Sequence, residues 1–191
     1  MSLRLDLLRH GETERGGGFR GSLDDNLTPE GWATLETAVA GQGPWDVIVS
    51  SPLRRCAAFA EQLSASLAVP LSIVPGLKEL HFGEWEGKTA AQLMEDQAEA
   101  LGRFWQDPFS HPPPGGEALG DFIHRVEAAV EGLRNSHPGQ RLLLVGHAGV
   151  IRLLLAQARG LPAVGLLQVE VAHGALHRLI LEGPKQWRES T

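Results

Sequence analysis

The chain has 191 residues, of which 42% are hydrophobic, and this length and composition are typical of a globular protein with one domain over residues 1–191. Its formal charge of −6 disfavours a general nucleic-acid-binding surface, and no apolar run is long enough to span a membrane. Because the first residues lack a signal-peptide pattern and the single cysteine cannot form an internal disulfide, we expect a cytoplasmic protein whose partners are small molecules.

The first predicted element is a strand over Leu3 to Leu8, where apolar and polar residues alternate before the apolar run is extended by one residue. Arg9 and His10 follow it directly, and Gly11 permits a sharp turn that leaves His10 exposed at the carboxyl end of the strand. Side chains in this position often carry the chemistry of an α/β protein.

Strands and helices alternate along the rest of the chain. Thr28 is the expected N-cap of the first helix and Pro29 its first residue, and Ser51-Pro52 repeats this start signal for the second. In chain order the expected elements are helix 29–41, strand 47–49, helix 51–67, strand 71–74, helix 88–105, loop 108–116, helix 117–134, strand 142–145, helix 148–160, and strands 169–171 and 175–181. This order predicts an α/β fold of three layers, α/β/α, around a mostly parallel, doubly wound sheet.

Two further strands run directly into functional side chains. Val47 to Val49 leads into Ser50 to Arg55, and Leu142 to Val145 leads into Gly146-His147. If the sheet is parallel, these strand ends and Arg9-His10 meet in one crevice. Two imidazoles among arginines predict an enzyme that acts on phosphate.

These residues resemble the signature of the histidine phosphatase family, also called the phosphoglycerate-mutase-like family. Four blocks occur in the family's order, namely Arg9-His10-Gly11, Ser50-Ser51-Pro52-Leu53-Arg54-Arg55, Leu77-Lys78-Glu79 with Phe82 to Gly87, and Gly146-His147. The resemblance implies a phosphoglycerate mutase-like fold and a phosphatase that acts through a phosphohistidine. It implies no metal ion and no other cofactor.

Phosphoryl transfer needs a nucleophile, positive charge around the phosphate oxygens and a proton for the leaving oxygen. His10 is the expected nucleophile, with its other ring nitrogen held by a local backbone carbonyl. Arg9 and Arg55 offer planar forks that match phosphate oxygens, and His147 adds a further donor. Glu79 is expected to protonate the leaving oxygen and later to take a proton from the attacking water.

Two of these assignments have close rivals in the sequence. Arg54 could replace Arg55 as the phosphate-binding arginine if the register differs by one residue. Glu84 and Glu86 compete with Glu79 for the role of the acid. Of the remaining histidines, His81 and His173 are the first to compare with the site.

Other phosphatase chemistries lack their motifs in this chain. A cysteine-dependent phosphatase needs an arginine six residues after its nucleophile, and the residue six after Cys56 is Gln62. No Asp-x-Asp pair, Gly-x-Ser-x-Gly elbow or Walker-type loop is present, and Asp24-Asp25 stands alone as a cluster of carboxylates.

The loops around the four blocks are similar to those of the α-ribazole phosphatases of cobalamin biosynthesis. The similar segments are residues 11–14, 19–28, 31–32, 105–108 and 113–117. The similarity implies that the substrate is α-ribazole 5′-phosphate and that Arg20, Gly11 and Thr13 contact it.

Other functions stay open at this point. A broad-specificity sugar-phosphate phosphatase or a phosphoglycerate mutase would use the same catalytic blocks. A phospho-ligand-binding or regulatory module is the non-enzymatic alternative, and it would be expected to lack His10 or Glu79, both of which are present. The sequence does not indicate an oligomeric state.

Overall fold

The computed structural model describes residues 2–190, which form a sheet of six strands and six α-helices. The strands are β1 Leu3–Arg9, β2 Val47–Ser50, β3 Leu71–Ile73, β4 Arg141–Gly146, β5 Leu176–Gly183 and β6 Gln186–Glu189. The helices are α1 Pro29–Val39, α2 Arg54–Leu67, α3 Ala90–Asp96, α4 Ala98–Gln106, α5 Leu119–Ser136 and α6 Ala148–Ala158. Within these residues no helix combines the length and the apolar composition needed to cross a membrane.

The strand order is β3-β2-β4-β1-β5-β6, and the first four strands in this order run parallel. The pairs of β5 with β1 and of β6 with β5 are antiparallel. Arg9 lies opposite Gly146 in the pairing of β1 with β4. The residues that follow these two strands, His10 and His147, therefore emerge side by side, and the predicted mostly parallel sheet is confirmed.

Side chains of alternate residues in the strands point to opposite faces of the sheet and build two cores. Leu3, Leu5 and Leu7 pack in one core with residues of α3 to α6. Leu8 packs in the other with residues of α1 and α2, including Leu35 and Phe59. Helices thus cover both faces of the sheet, which confirms the three-layer prediction.

The start of α1 agrees with the sequence, but the start of α2 does not. Thr28 accepts a hydrogen bond from Gly31 N at 2.9 Å, and Pro29 is the first helical residue. In α2 the first helical residue is Arg54 instead of Pro52, and its N–H donates to Asp24 Oδ1 at 2.7 Å. A carboxylate from a distant loop, which local pattern cannot reveal, caps this helix.

The single helix predicted over residues 88–105 is two helices in the structure. Gln97 separates α3 from α4 with non-helical dihedral angles, φ −139° and ψ 33°. Its side-chain oxygen accepts a hydrogen bond from the buried indole of Trp85 at 2.8 Å. The helix predicted over 117–134 lies two residues later, and residues 108–116 contain no helix or strand, as expected.

The predicted strand over Val169 to Val171 is wrong, and β6 was not predicted. The carbonyls of both valines accept hydrogen bonds from arginine side chains, Val169 O from Arg152 and Val171 O from Arg9. The main-chain carbonyls of this segment therefore bind arginine side chains, whereas those of a strand would pair with a neighbouring strand. β6 follows a tight turn at Lys185, whose φ of 56° is unusual for a residue other than glycine.

Candidate active site

A cavity of about 370 Å³ opens at the carboxyl end of β1. Five of the predicted site residues line it, namely Arg9, His10, Thr13, Arg20 and Glu79. The rest of the wall consists of Gly16 to Gly18, Phe19, Phe82, Ala90, Ala148, Arg152 and His173. Arg55, His147 and Gly11 do not line this cavity, although each contacts a residue or a loop that does.

His10 is held by the carbonyl of the residue that follows it. Its Nδ1 lies 2.8 Å from Gly11 O, so in the neutral ring Nδ1 carries the proton and donates a hydrogen bond to this carbonyl. Burial lowers the pKa of His10 well below its usual range, and the positive charge of Arg55 adds to this effect. A neutral ring with Nδ1 as donor leaves Nε2 with its lone pair at the cavity.

His147 is fully buried and packs edge-on against His10, with ring centroids 5.4 Å apart. Its Nε2 lies 2.8 Å from the hydroxyl of Ser51. Burial also lowers the pKa of His147 well below its usual range, with the charge of Arg55 again the largest electrostatic cause. Both imidazoles are therefore neutral at neutral pH, and His147 lies beside His10 without lining the cavity.

Arg9 is held by the segment that was expected to be a strand. Its Nη1 donates to Val171 O at 2.6 Å, and its Nη2 lies 2.9 Å from His173 Nε2. The main chain of Arg9 pairs with the same segment through Gly174 N and Ala175 O, both at 3.1 Å. Its Nε is buried and has no hydrogen-bond partner among residues 2–190.

The structure distinguishes Arg55 from its rival Arg54. Arg55 is fully buried and donates to three carbonyls, those of Leu23 at 2.6 Å, Gly21 at 2.8 Å and Arg20 at 3.2 Å. Its Nε is buried without a hydrogen-bond partner in the described part of the chain, as in Arg9. Arg54 is exposed. Of the two arginines, only Arg55 is thus buried against the loop that carries Arg20.

Arg20, a predicted substrate contact, lies in the loop that supplies the carbonyls for Arg55. Its Nη1 pairs with Asp25 and also donates to Thr13 Oγ1 at 3.2 Å. Asp25 is buried, and its other oxygen lies 3.9 Å from Arg55 Nη1. Asp24 thus caps α2, and Asp25 forms an ion pair with Arg20.

Gly11 has a packing role that the sequence did not reveal. A Cβ at this position would lie 2.3 Å from Gly31 O, so the turn after β1 can approach α1 only with glycine. Its carbonyl accepts the hydrogen bond from His10 Nδ1, and Gly11 lies between His10 and the first turn of α1.

The three competing carboxylates have different surroundings. Glu79 lines the cavity, and its oxygens accept from Leu80 N at 3.0 Å and from Gly149 N at 2.9 Å. Glu84 is exposed. Glu86 accepts from the amides of Ser22, Leu23 and Phe82, and so it joins two loops. Only Glu79 of these three lies in the cavity wall.

Comparison with known proteins assigns the family. Residues 5–190 match the histidine phosphatase superfamily (branch 1). The chain belongs to this superfamily. It is 33% identical over 176 residues to an adenosylcobalamin/alpha-ribazole phosphatase of Salmonella typhimurium, a match that covers 90% of this chain and 87% of that protein.

Solved structures of histidine phosphatases have the same fold. The alpha-ribazole phosphatase from Shigella flexneri superposes with a TM-score of 0.85 at 29% identity, over 98% of this chain and 95% of that one. A mycobacterial glucosyl-3-phosphoglycerate phosphatase superposes with a TM-score of 0.86 at 28% identity, over 100% and 98% of the two chains. The predictions of a phosphoglycerate mutase-like fold and of a phosphoric monoester hydrolase are confirmed.

The cavity of this histidine phosphatase contains Arg152, which was not predicted, and His173, one of the two further histidines singled out in the sequence. Arg152 lies one turn after Ala148 on α6, and both line the cavity. His173 also lines it, with its ring centroid 5.5 Å from that of His10, whereas His81 does not. Spacing along α6 could have indicated Arg152, whereas no local pattern favoured His173 over His81.

The charges that line the cavity suit a phosphate monoester. Three arginines line it with one carboxylate, and Arg55 lies close enough to depress the pKa of His10. No group of three or more His, Cys, Asp or Glu side chains in residues 2–190 is arranged to hold a metal ion. The cavity wall of this histidine phosphatase thus combines two imidazoles, those of His10 and His173, with three guanidinium groups.

Proposed function

We propose that this histidine phosphatase hydrolyses phosphomonoesters through a phosphohistidine on His10, and that α-ribazole 5′-phosphate is its substrate. The observation that carries the proposal is the contact of His10 Nδ1 with Gly11 O, because it leaves Nε2 unprotonated at a cavity rich in arginine. A neutral imidazole nitrogen is a competent nucleophile toward phosphorus.

The two steps use the same groups in reverse order. His10 Nε2 attacks phosphorus, the bond from phosphorus to the leaving oxygen breaks, and Glu79 gives that oxygen its proton. Water then attacks the phosphohistidine, Glu79 accepts a proton from the water, and the phosphorus–nitrogen bond breaks. Splitting the displacement in this way replaces one difficult step by two easier ones.

Two buried arginine Nε–H groups support a phosphoryl site beside His10. Arg9 Nε and Arg55 Nε have no acceptor among residues 2–190, although a buried donor without an acceptor costs about 1–3 kcal/mol. A phosphoryl oxygen is the acceptor that this chemistry supplies. His147 packs against the ring of His10, and we assign it as a further donor for the charge that develops on the phosphoryl group.

An aromatic wall supports a substrate with a flat, apolar leaving group. Phe19 and Phe82 both line the cavity, with ring centroids 5.0 Å apart. Such a pair can pack against the base of a ribazole phosphate. Relatives named for α-ribazole and for glucosyl-3-phosphoglycerate are both close, so the comparisons alone do not choose a substrate.

The nucleophile is tested by trapping the phosphoenzyme. His10→Asn should abolish turnover and should form no acid-labile phosphoenzyme with labelled substrate. His81→Asn, which alters a histidine outside the cavity wall, is the matched control and should form the phosphoenzyme normally. Turnover should also survive exhaustive treatment with EDTA. Turnover by His10→Asn, or restoration by added metal after EDTA, would contradict the mechanism.

The substrate is tested by kcat/KM on a panel. α-Ribazole 5′-phosphate should exceed 3-phosphoglycerate and glucose 6-phosphate by at least about tenfold. Phe19→Ala and Phe82→Ala should reduce this preference while p-nitrophenyl phosphate is still hydrolysed. Equal values for all sugar phosphates would favour a broad-specificity phosphatase, and transfer of phosphate between positions of 3-phosphoglycerate would indicate a mutase.

A further inference from the structure

The segment that carries Glu79 has little regular structure of its own. A 3₁₀ turn spans Pro75 to Leu77, and residues 78–82 belong to no helix or strand. Glu79 nevertheless lies at a defined place in the cavity wall, against the first turn of α6. Contacts from outside the segment must therefore fix its main chain.

Arg125 on α5 supplies most of these contacts. Its Nη1 donates to Gly76 O at 3.0 Å and to Lys78 O at 2.7 Å, and its Nη2 donates to Glu79 O at 2.9 Å. One guanidinium group thus joins three carbonyls within four residues. The helix approaches closely here, because a Cβ at Gly76 would lie 2.9 Å from the Cβ of Ala129.

Glu117 completes the arrangement on the other side of Glu79. Its carboxylate accepts from Arg125 Nε at 2.6 Å and from Arg125 Nη2 at 2.8 Å, a bidentate pair. Its main-chain N–H donates to His81 O at 2.9 Å, and its carboxylate also accepts from His81 N at 3.3 Å. The main chain is therefore held before, at and after Glu79.

We propose that Arg125 and Glu117 are positioning residues for the general acid. They hold the main chain of residues 76–81 so that the carboxyl of Glu79 lies where the leaving oxygen departs. Neither residue lines the cavity, so both act through Glu79. The proposal rests on the proposed function of Glu79 as the acid, and it adds residues that no cavity contact would identify.

The dependence of rate on the leaving group tests this role. A general acid matters most for a poor leaving group such as a ribose or glycerol alkoxide, and little for p-nitrophenolate. Arg125→Met should slow phosphorylation of the enzyme by glycerol 1-phosphate at least about tenfold more than phosphorylation by p-nitrophenyl phosphate, a part of the roughly 10²–10⁴-fold that a general acid supplies. Single-turnover rates are required, because dephosphorylation also uses Glu79.

Control variants separate positioning from general packing. Arg134→Met alters another arginine of α5, which pairs with Glu131 and does not contact residues 76–81, and it should show no selective loss. Glu117→Gln keeps Arg125 and most of the packing, so it provides a second variant if Arg125→Met does not fold. Arg125→Lys, which can still reach one carbonyl, should recover part of the selective loss.

The comparison with Glu79→Gln distinguishes failure of this inference from failure of the proposed function. The inference would be supported if Glu79→Gln and Arg125→Met both selectively slowed phosphorylation by the substrate with the poor leaving group. The double variant should then be no more selective than Glu79→Gln alone. Selective loss in Glu79→Gln with equal losses on both substrates in Arg125→Met and Glu117→Gln would overturn the inference alone. Equal losses in Glu79→Gln would overturn the acid assignment and the inference with it.

Discussion

Three arginines near His10 are held by main-chain carbonyls. Arg55 donates to the carbonyls of residues 20, 21 and 23, Arg9 donates to Val171 O, and Arg152 donates to Val169 O. A carbonyl accepts an N–H without adding a full negative charge, as a carboxylate would. The positive charge of Arg9 and Arg152 therefore remains available to a phosphate dianion, while Arg55 also has one carboxylate, that of Asp25, at 3.9 Å. The charges of Arg55 and Arg9 help to keep His10 neutral.

The hydrogen bond between His173 and Arg9 can be tested by substitution of His173. Removing the acceptor in His173→Leu should weaken inhibition by vanadate roughly tenfold, since a hydrogen bond to a charged group contributes about 1.5–3 kcal/mol. His173→Gln, whose side-chain oxygen can replace Nε2, should stay within about threefold of the parent. Inhibition constants measured at pH 7.5 check both. Equal weakening in the two variants would mean that the imidazole ring, and not its acceptor, matters.

The segment from Val169 to Ala175 shows where prediction from the sequence ends. Its β-branched residues at alternate positions are typical of a strand, but the carbonyls of Val169 and Val171 bind arginines from β1 and α6. Strand ends were predicted well, because Arg9, His10 and His147 directly follow buried apolar runs. The roles of Arg125 and Glu117 could not be predicted, because they depend on contacts with residues far away in the chain, and for the same reason the sequence could not choose between His173 and His81.

Gly174 gives a prediction for this segment. It has a φ of +67°, and a Cβ there would lie 2.4 Å from Thr34 Cγ2 on α1. Gly174→Ala should therefore lower the free energy of unfolding by at least about 1–2 kcal/mol, and it should weaken vanadate binding because Arg9 loses its alignment.

A double variant separates the two causes of this loss. Thr34→Ser removes the methyl group that the new Cβ would meet, so Gly174→Ala combined with Thr34→Ser should recover the part of the loss due to the clash and keep the part due to φ. Urea denaturation of the four proteins provides the measurement. Additive effects of the two substitutions would show that the contact with Thr34 is not responsible.

For the whole molecule, the burial of imidazoles between the sheet and its helices links stability to pH. The pKa values of His10 and His147 are both lowered well below the usual range by burial and by Arg55. His173, with a pKa lowered to about 4 by burial and by Arg9, and His177 act in the same direction but are more exposed. The unfolded chain therefore binds protons that the folded one does not, as the pH falls below about 6.5.

The sign of this linkage between protonation and folding predicts how stability changes with pH. Stability should be independent of these groups above about pH 6.5 and should decrease as the pH falls below it. Two such histidines together lower the free energy of unfolding by about 3 kcal/mol at pH 5.5 relative to pH 7.5. Urea denaturation at both pH values checks this. His147→Gln should show a decrease about 1–1.5 kcal/mol smaller than that of the parent, and a decrease equal to that of the parent would exclude His147 as a contributor.

During synthesis on the ribosome, β1 is made well before the two strands that pair with it. It pairs with β4 and β5, whose first residues are Arg141 and Leu176. Until these are made, β2 and β3 are the only strands of residues 2–190 with a partner available, and β1 has no strand beside it. The two acceptors of Arg9, Val171 O and His173 Nε2, follow it in the chain by 162 and 164 residues. We therefore expect that the guanidinium group of Arg9 takes up its position in the cavity wall only after this distant segment has been made.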